Sequence, residues 1–142
     1  MSGITEALFL SPALQQRILD HAREALPMEA VGLLGGQPNG WVERVIPLPN
    51  LAGSKTFIAD PFAQFQAEKA LKQAGLALLA VYHSHPGGGA QLSDADRLLA
   101  SPKATIQVVI ALARPHLPGE EIRAYRMQDG QTIEVQVRPE IS

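Results

Sequence analysis

Cysteine is absent from the 142 residues, which excludes a disulfide framework, a thiolate nucleophile and every metal site that depends on sulfur. A metal bound here must use nitrogen and oxygen. Long apolar runs are also missing. The longest, Ala74 to Tyr82 with Gly75 inside it, falls far short of the roughly 20 residues a spanning helix requires. No excess of one charge is present: 12 Lys and Arg stand against 14 Asp and Glu, a net charge of −2 with histidine neutral. That balance advertises neither a nucleic acid nor an anionic membrane as partner. The first ten residues lack a basic region and carry Glu6, so no signal peptide is predicted and a cytoplasmic location is the expectation. Repeats, low-complexity tracts and linkers are not visible, and the length fits one domain over residues 1–142. With 46% hydrophobic and 18% charged residues, the chain has ordinary globular composition.

Ser11-Pro12 has the form of an N-cap followed by proline at the first helical position. Leu14, Ile18, Ala22 and Ala25 then recur at helical spacing, predicting a helix from Pro12 to Ala25. Val31 to Leu34 reads as a short buried strand ending in a Gly35-Gly36 turn, and Trp41 to Ile46 as a second strand before a loop containing Pro47 and Pro49. Thr56 to Ile58 reads as extended. Asp60 is the expected N-cap of a second helix, with Phe62, Phe65, Ala70 and Leu71 largely on one face up to Gly75. Leu76 to Tyr82 is continuously apolar, as in a central strand covered on both faces, and delivers His83-Ser84-His85 before Pro86. A Gly87-Gly88-Gly89 loop, a short helix from Ser93 to Ala100 and a buried strand from Ile106 to Leu112 follow. Ile122 to Met127 and Thr132 to Val137 flank Asp129-Gly130 as a hairpin. This order implies an α/β chain of the α+β type, a mixed sheet with helices packed against it.

His83 and His85, two apart at a strand end, project from the same face and can converge on one ion. Catalytic zinc commonly takes three protein ligands and keeps a further position for water. Asp96 lies just inside the short helix, where the glycine loop can fold it back over the strand end. His, His and Asp with an open position would lower the pKa of a water to about 7 and supply a nucleophile at neutral pH. Each part also has a plainer explanation. Paired histidines can be surface residues, Ser93 and Asp96 match a capping box, and a triglycine can be a simple connection.

His83-Ser84-His85-Pro86 followed by Ser93-Asp94-Ala95-Asp96 resembles the JAMM (MPN+) motif, His-x-His-Pro, a spacer, then Ser-x-x-Asp. Upstream, Glu29-Ala30-Val31-Gly32-Leu33-Leu34-Gly35 resembles the family's Glu-x-x-Gly-x-Leu segment. The likeness continues through Pro49-Asn50 and Phe57 to Pro61, and covers Glu29 to about Tyr125. The resemblance implies a curved mixed sheet of MPN/JAMM type, cytidine-deaminase-like in architecture, and a compact bacterial zinc metallopeptidase. Its relatives act on ubiquitin-like or sulfur-carrier proteins at or near a Gly-Gly tail. By that likeness His83, His85 and Asp96 bind Zn2+, Glu29 is the general acid–base group, and Ser93 hydrogen-bonds the developing oxyanion. Val31 stands where many relatives carry cysteine, and Leu92 where proline is frequent. Neither is a proposed ligand.

Two other readings share the family: a metal-free scaffold or binding module, and a DNA-repair-associated relative. The scaffold members lack the ligands that Glu29, His83, His85, Ser93 and Asp96 would supply here. The repair relatives usually carry a helical DNA-binding module before the domain, for which only about ten residues precede the first helix here. A cytidine deaminase would need cysteines around its zinc. A sheet edge or the first helix could support a homodimer, although no feature demands one. His21 and His116 are expected to be structural or exposed, Trp41 to pack in the core or at an edge, and Met28, Met127 and the phenylalanines to fill the core.

Overall fold

The computed structural model describes residues 6–52, 58–91, 93, 106–112, 119–128 and 130–140. The chain runs β1 (Ala7–Phe9), α1 (Pro12–Ala25), β2 (Val31–Gly36), β3 (Val42–Leu48), α2 (Pro61–Gln73), β4 (Ala77–His85), β5 (Ile106–Ala111), β6 (Glu121–Gln128) and β7 (Gln131–Arg138). The strands form one sheet in the order β1-β7-β6-β5-β4-β2-β3. It is mixed, since β4 and β5 are parallel, as are β1 and β7, while the other neighbours are antiparallel. Phe9 is in register with Arg138 and also bridges to Trp41. The two ends of the sheet thus meet, and the sheet curls almost shut. That closure needs glycine at position 40, where φ is +97° and an added Cβ would lie 2.5 Å from the Ala7 carbonyl oxygen.

Helix α1 has the expected bounds, and the Ser11 hydroxyl accepts the Leu14 N–H. Its buried Ile18 and Ala22 join Leu8, Leu10, Leu34, Ala80, Tyr82, Val108 and Ile110 in the main core. On the other face of the sheet, α2 covers Val31, Leu33, Leu48 and Val81. Asp60 caps α2 by accepting the N–H groups of Phe62 and Ala63. The buried stripe of α2 differs from the expected one. Ala63, Ala67 and Leu71, each one turn after the last, face the sheet, while Phe62 and Phe65 are 72% and 61% exposed. Small residues let α2 lie close to the sheet, and the two rings are left outside.

Two local expectations are corrected. Gly35 and Gly36 lie within β2 and not in a turn, and Pro47 lies within β3 and not in a loop. β3 ends the strand order, a position that tolerates a residue with no N–H. The short strand β1 was not anticipated by local pattern. The expected helix from Ser93 to Ala100 lies outside the described residues except for Ser93, as do Thr56, Phe57 and His116. Among the described residues no helix is long and apolar enough to cross a membrane.

Candidate metal centre

Side chains alternate along β4. Ala80 and Tyr82 enter the α1 core and Val81 enters the α2 core, so His83 and His85 emerge on the α2 side at the strand's end. β2 runs antiparallel to β4 with Val31 opposite His83. Continuing that register by two residues brings Glu29 level with His85. The pairing is continued by Ala30 and Ser84: the Ser84 N–H donates to the Ala30 carbonyl oxygen at 3.0 Å, and the Ala30 N–H donates to Ser84 Oγ at 2.8 Å. Ser84 is fully buried. Its hydroxyl therefore extends the ladder beyond Val31 and fixes the main chain beside Glu29.

The result is a cluster in which one ligand atom each from Glu29, His83 and His85 lies within 4.8 Å of the others. Glu29 and His83 are buried, at 7% and 0% exposure, and His85 is half-buried. The two imidazoles present Nε2 to Nε2 at 3.2 Å. His85 Nδ1 lies 2.8 Å from the Gly89 carbonyl oxygen. A carbonyl can only accept, so in the neutral ring Nδ1 carries the proton and Nε2 offers its lone pair. Two imidazole nitrogens and a carboxylate oxygen, with one ring's tautomer set by a backbone carbonyl, are a donor set that fits a divalent metal of borderline softness.

The loop that supplies Gly89 is itself held. Ala90 packs on Val109, Ala111 and Tyr125, and the Tyr125 hydroxyl donates to the Ala90 carbonyl oxygen at 2.6 Å. Burial pushes the Tyr125 hydroxyl above its ordinary pKa and keeps it a donor. On the other flank, Asn50 Nδ2 donates to the Glu29 carbonyl oxygen at 2.9 Å. Ser84, Asn50 and Tyr125 had no assigned role from sequence. Only their place in the register and in the loop contacts reveals one.

Of the five residues expected at the site, Glu29, His83 and His85 are brought together. Ser93 is exposed, and Asp96 lies outside the described residues. His21 is on the opposite face of the sheet, with its Nδ1 2.6 Å from the Tyr82 hydroxyl, and is structural as expected. A cavity of about 490 Å³ along α1, lined by Arg17, Asp20, His21 and Glu24 among others, includes none of the cluster residues.

The sequence pattern of a family described as prokaryotic homologs of the JAB domain matches residues 11–128. A Thermus thermophilus protein named as a probable TtuB-protein conjugate cleaving protease is 37% identical over 128 residues, covering 89% of this chain and 80% of that protein. A CysO-cysteine peptidase from Mycobacterium tuberculosis is 33% identical over 135 residues, covering 93% and 90%. The solution structure of a Desulfitobacterium hafniense protein superposes with a TM-score of 0.82 at 35% identity, covering 92% of this chain and 90% of that one.

Proposed function

The chain belongs to the family of prokaryotic homologs of the JAB domain and is a peptidase of that family; from that premise we propose that it uses Zn2+ to hydrolyse a peptide or isopeptide bond at or after the Gly-Gly tail of a ubiquitin-like or sulfur-carrier protein. The observation that carries the reading is the convergence of Glu29, His83 and His85 within 4.8 Å at the open end of a central strand. The similar Thermus and Mycobacterium proteins, named for cleaving a TtuB conjugate and for CysO-cysteine, support a protein carrier as substrate.

In this reading His83 and His85 hold the metal with Asp96 as the third protein ligand. When bound, zinc supplies a Lewis acid that lowers the pKa of water at the site. The Glu29 carboxylate takes the proton of the attacking water and delivers it to the leaving amine. The Ser93 hydroxyl donates to the oxygen of the scissile carbonyl as negative charge develops there. Ser84 and the Gly89 carbonyl hold the main chain beside Glu29 and the His85 ring in place before substrate arrives.

An apolar surface near the site suits a folded carrier. Leu51, Ile58, Phe62 and Phe65 are 61%, 52%, 72% and 61% exposed; Leu51 and Ile58 adjoin Asn50, whose side chain touches Glu29, and the two phenylalanines lie on α2, the helix that follows this segment. Large apolar side chains left exposed along one stretch of chain suit contact with a protein partner. The reaction is tested by mass spectrometry of carrier proteins extended beyond Gly-Gly, with and without enzyme and with metal content measured in parallel. Loss of the residues beyond the tail, dependent on zinc, is the expected result. Equal cleavage when the penultimate glycine is replaced by phenylalanine would overturn the preference for a Gly-Gly tail.

A further inference from the structure

We propose that Asn50 is the positioning residue that fixes Glu29 for proton transfer, an inference that rests on Glu29 being the group that moves the proton. The β2–β3 ladder stops just short of Glu29. Its last pair is Val31 with Leu48. One step further, Pro49 faces Ala30 in that register and has no N–H to give. Two steps further, Asn50 faces Glu29, and here the side chain takes over from the main chain: Asn50 Nδ2 donates to the Glu29 carbonyl oxygen at 2.9 Å. Glu29 is therefore held between Asn50 on one side and, through Ala30, Ser84 on the other.

The same side chain anchors its own segment. Asn50 Oδ1 accepts the N–H groups of Ala52 at 2.9 Å and Ile58 at 3.0 Å. The Leu51 N–H donates to the Ile58 carbonyl oxygen at 2.8 Å, and Asn50 bridges to Ala59 just before the α2 cap. One amide thus ties the base of Glu29 to a segment closed at both ends and continuous with α2. A glutamate reaches its target through several rotatable bonds, so its main chain must be held within about 0.5 Å for the carboxylate to stay aligned. Misplacement by about 1 Å can cost on the order of 100-fold in rate.

The two functions of Asn50 separate chemically. Asn50→Asp keeps the acceptor oxygen that serves Ala52 and Ile58 and removes the donor that serves Glu29, whereas Asn50→Ala removes both without adding charge. Both variants should lose about 10-fold or more in kcat with KM changed by less than about 2-fold, as expected when alignment and not binding is lost. Both should retain wild-type metal content. Amide exchange near Glu29 and Ala30 should accelerate in both, and exchange at Ala52 and Ile58 only in Asn50→Ala. If both variants keep wild-type kcat while Glu29→Gln is inactive, Asn50 only shapes its loop and this inference falls alone. Should Glu29→Gln itself remain active, the proton-transfer reading falls and takes the inference with it. Asn50→Asp keeps the test decisive if Asn50→Ala does not fold.

Discussion

Replacing Ser84 by alanine removes one oxygen atom from the strand end that carries both histidines, and its cost can be worked from the geometry. Ser84 is fully buried and Ala30 is 2% exposed, so the Ala30 N–H that donates to Ser84 Oγ at 2.8 Å would have no water to turn to. Leaving a buried donor without an acceptor costs about 1–3 kcal/mol. An unfolding entropy of about 2.1 cal/mol/K per residue gives roughly 0.3 kcal/mol/K for a chain of 142 residues. The variant should therefore melt about 3–10 °C lower than wild type. Scanning calorimetry on metal-free protein reads this directly. Because the lost bond adjoins Glu29, activity at a temperature where both proteins are folded should fall in kcat more than in KM. A melting temperature within about 1 °C of wild type would refute the claim that the Ser84 hydroxyl completes the β2–β4 ladder.

Glu29→Gln should keep the fold and the zinc and lower kcat by about 10²–10⁴-fold, whereas His83→Ala, His85→Ala and Asp96→Ala should lose zinc; metal analysis beside kinetics decides between a proton-transfer role and a ligand role for Glu29. Changing both Phe62 and Phe65 to serine should raise KM for a folded carrier substrate and leave KM for a short Gly-Gly peptide unchanged, because both rings already face solvent; an equal effect on both substrates would remove the docking role. Burial lowers the His21 pKa below its ordinary 6.5, with Glu24 opposing and Arg17 assisting. The unfolded chain therefore binds the proton more readily, and the His21 contribution to stability is full above about pH 6.5 and lost as pH falls through the folded-state pKa. Thermal melts of wild type and His21→Gln from pH 7.5 to 5 should show the steeper loss in wild type, and parallel curves would show that His21 does not carry it.

The elements most legible in the sequence are those whose causes are local. Helix α1 begins at Pro12 because Ser11 caps it and proline fits its first turn, and both facts lie in adjacent residues. Strand β1 was invisible for the opposite reason: its three residues become a strand only by pairing with β7 near the other end of the chain. Phe62 and Phe65 misled because hydrophobicity is not burial. The space between α2 and the sheet admits alanines at positions 63 and 67, and the larger rings sit outside it. Pro47 looked like a loop residue because its tolerance depends on β3 being a sheet edge, a property of the strand order and not of its neighbours.

The site divides along the same line. That His83 and His85 share a face follows from the two-residue period of any strand. That Glu29 meets them depends on register, which composition does not reveal and which only the resemblance of its segment suggested. The structure shows what holds that register. Gly32 lies opposite Tyr82, and a Cβ on Gly32 would come within 2.4 Å of the tyrosine ring. A slip by one residue would place Val31 or Leu33 against that ring and turn Glu29 to the opposite face of the sheet, away from both histidines. The buried Tyr82 hydroxyl is in turn occupied by His21 from α1. The α1 face of the sheet, which takes no part in the chemistry, thereby determines which residues meet on the α2 face.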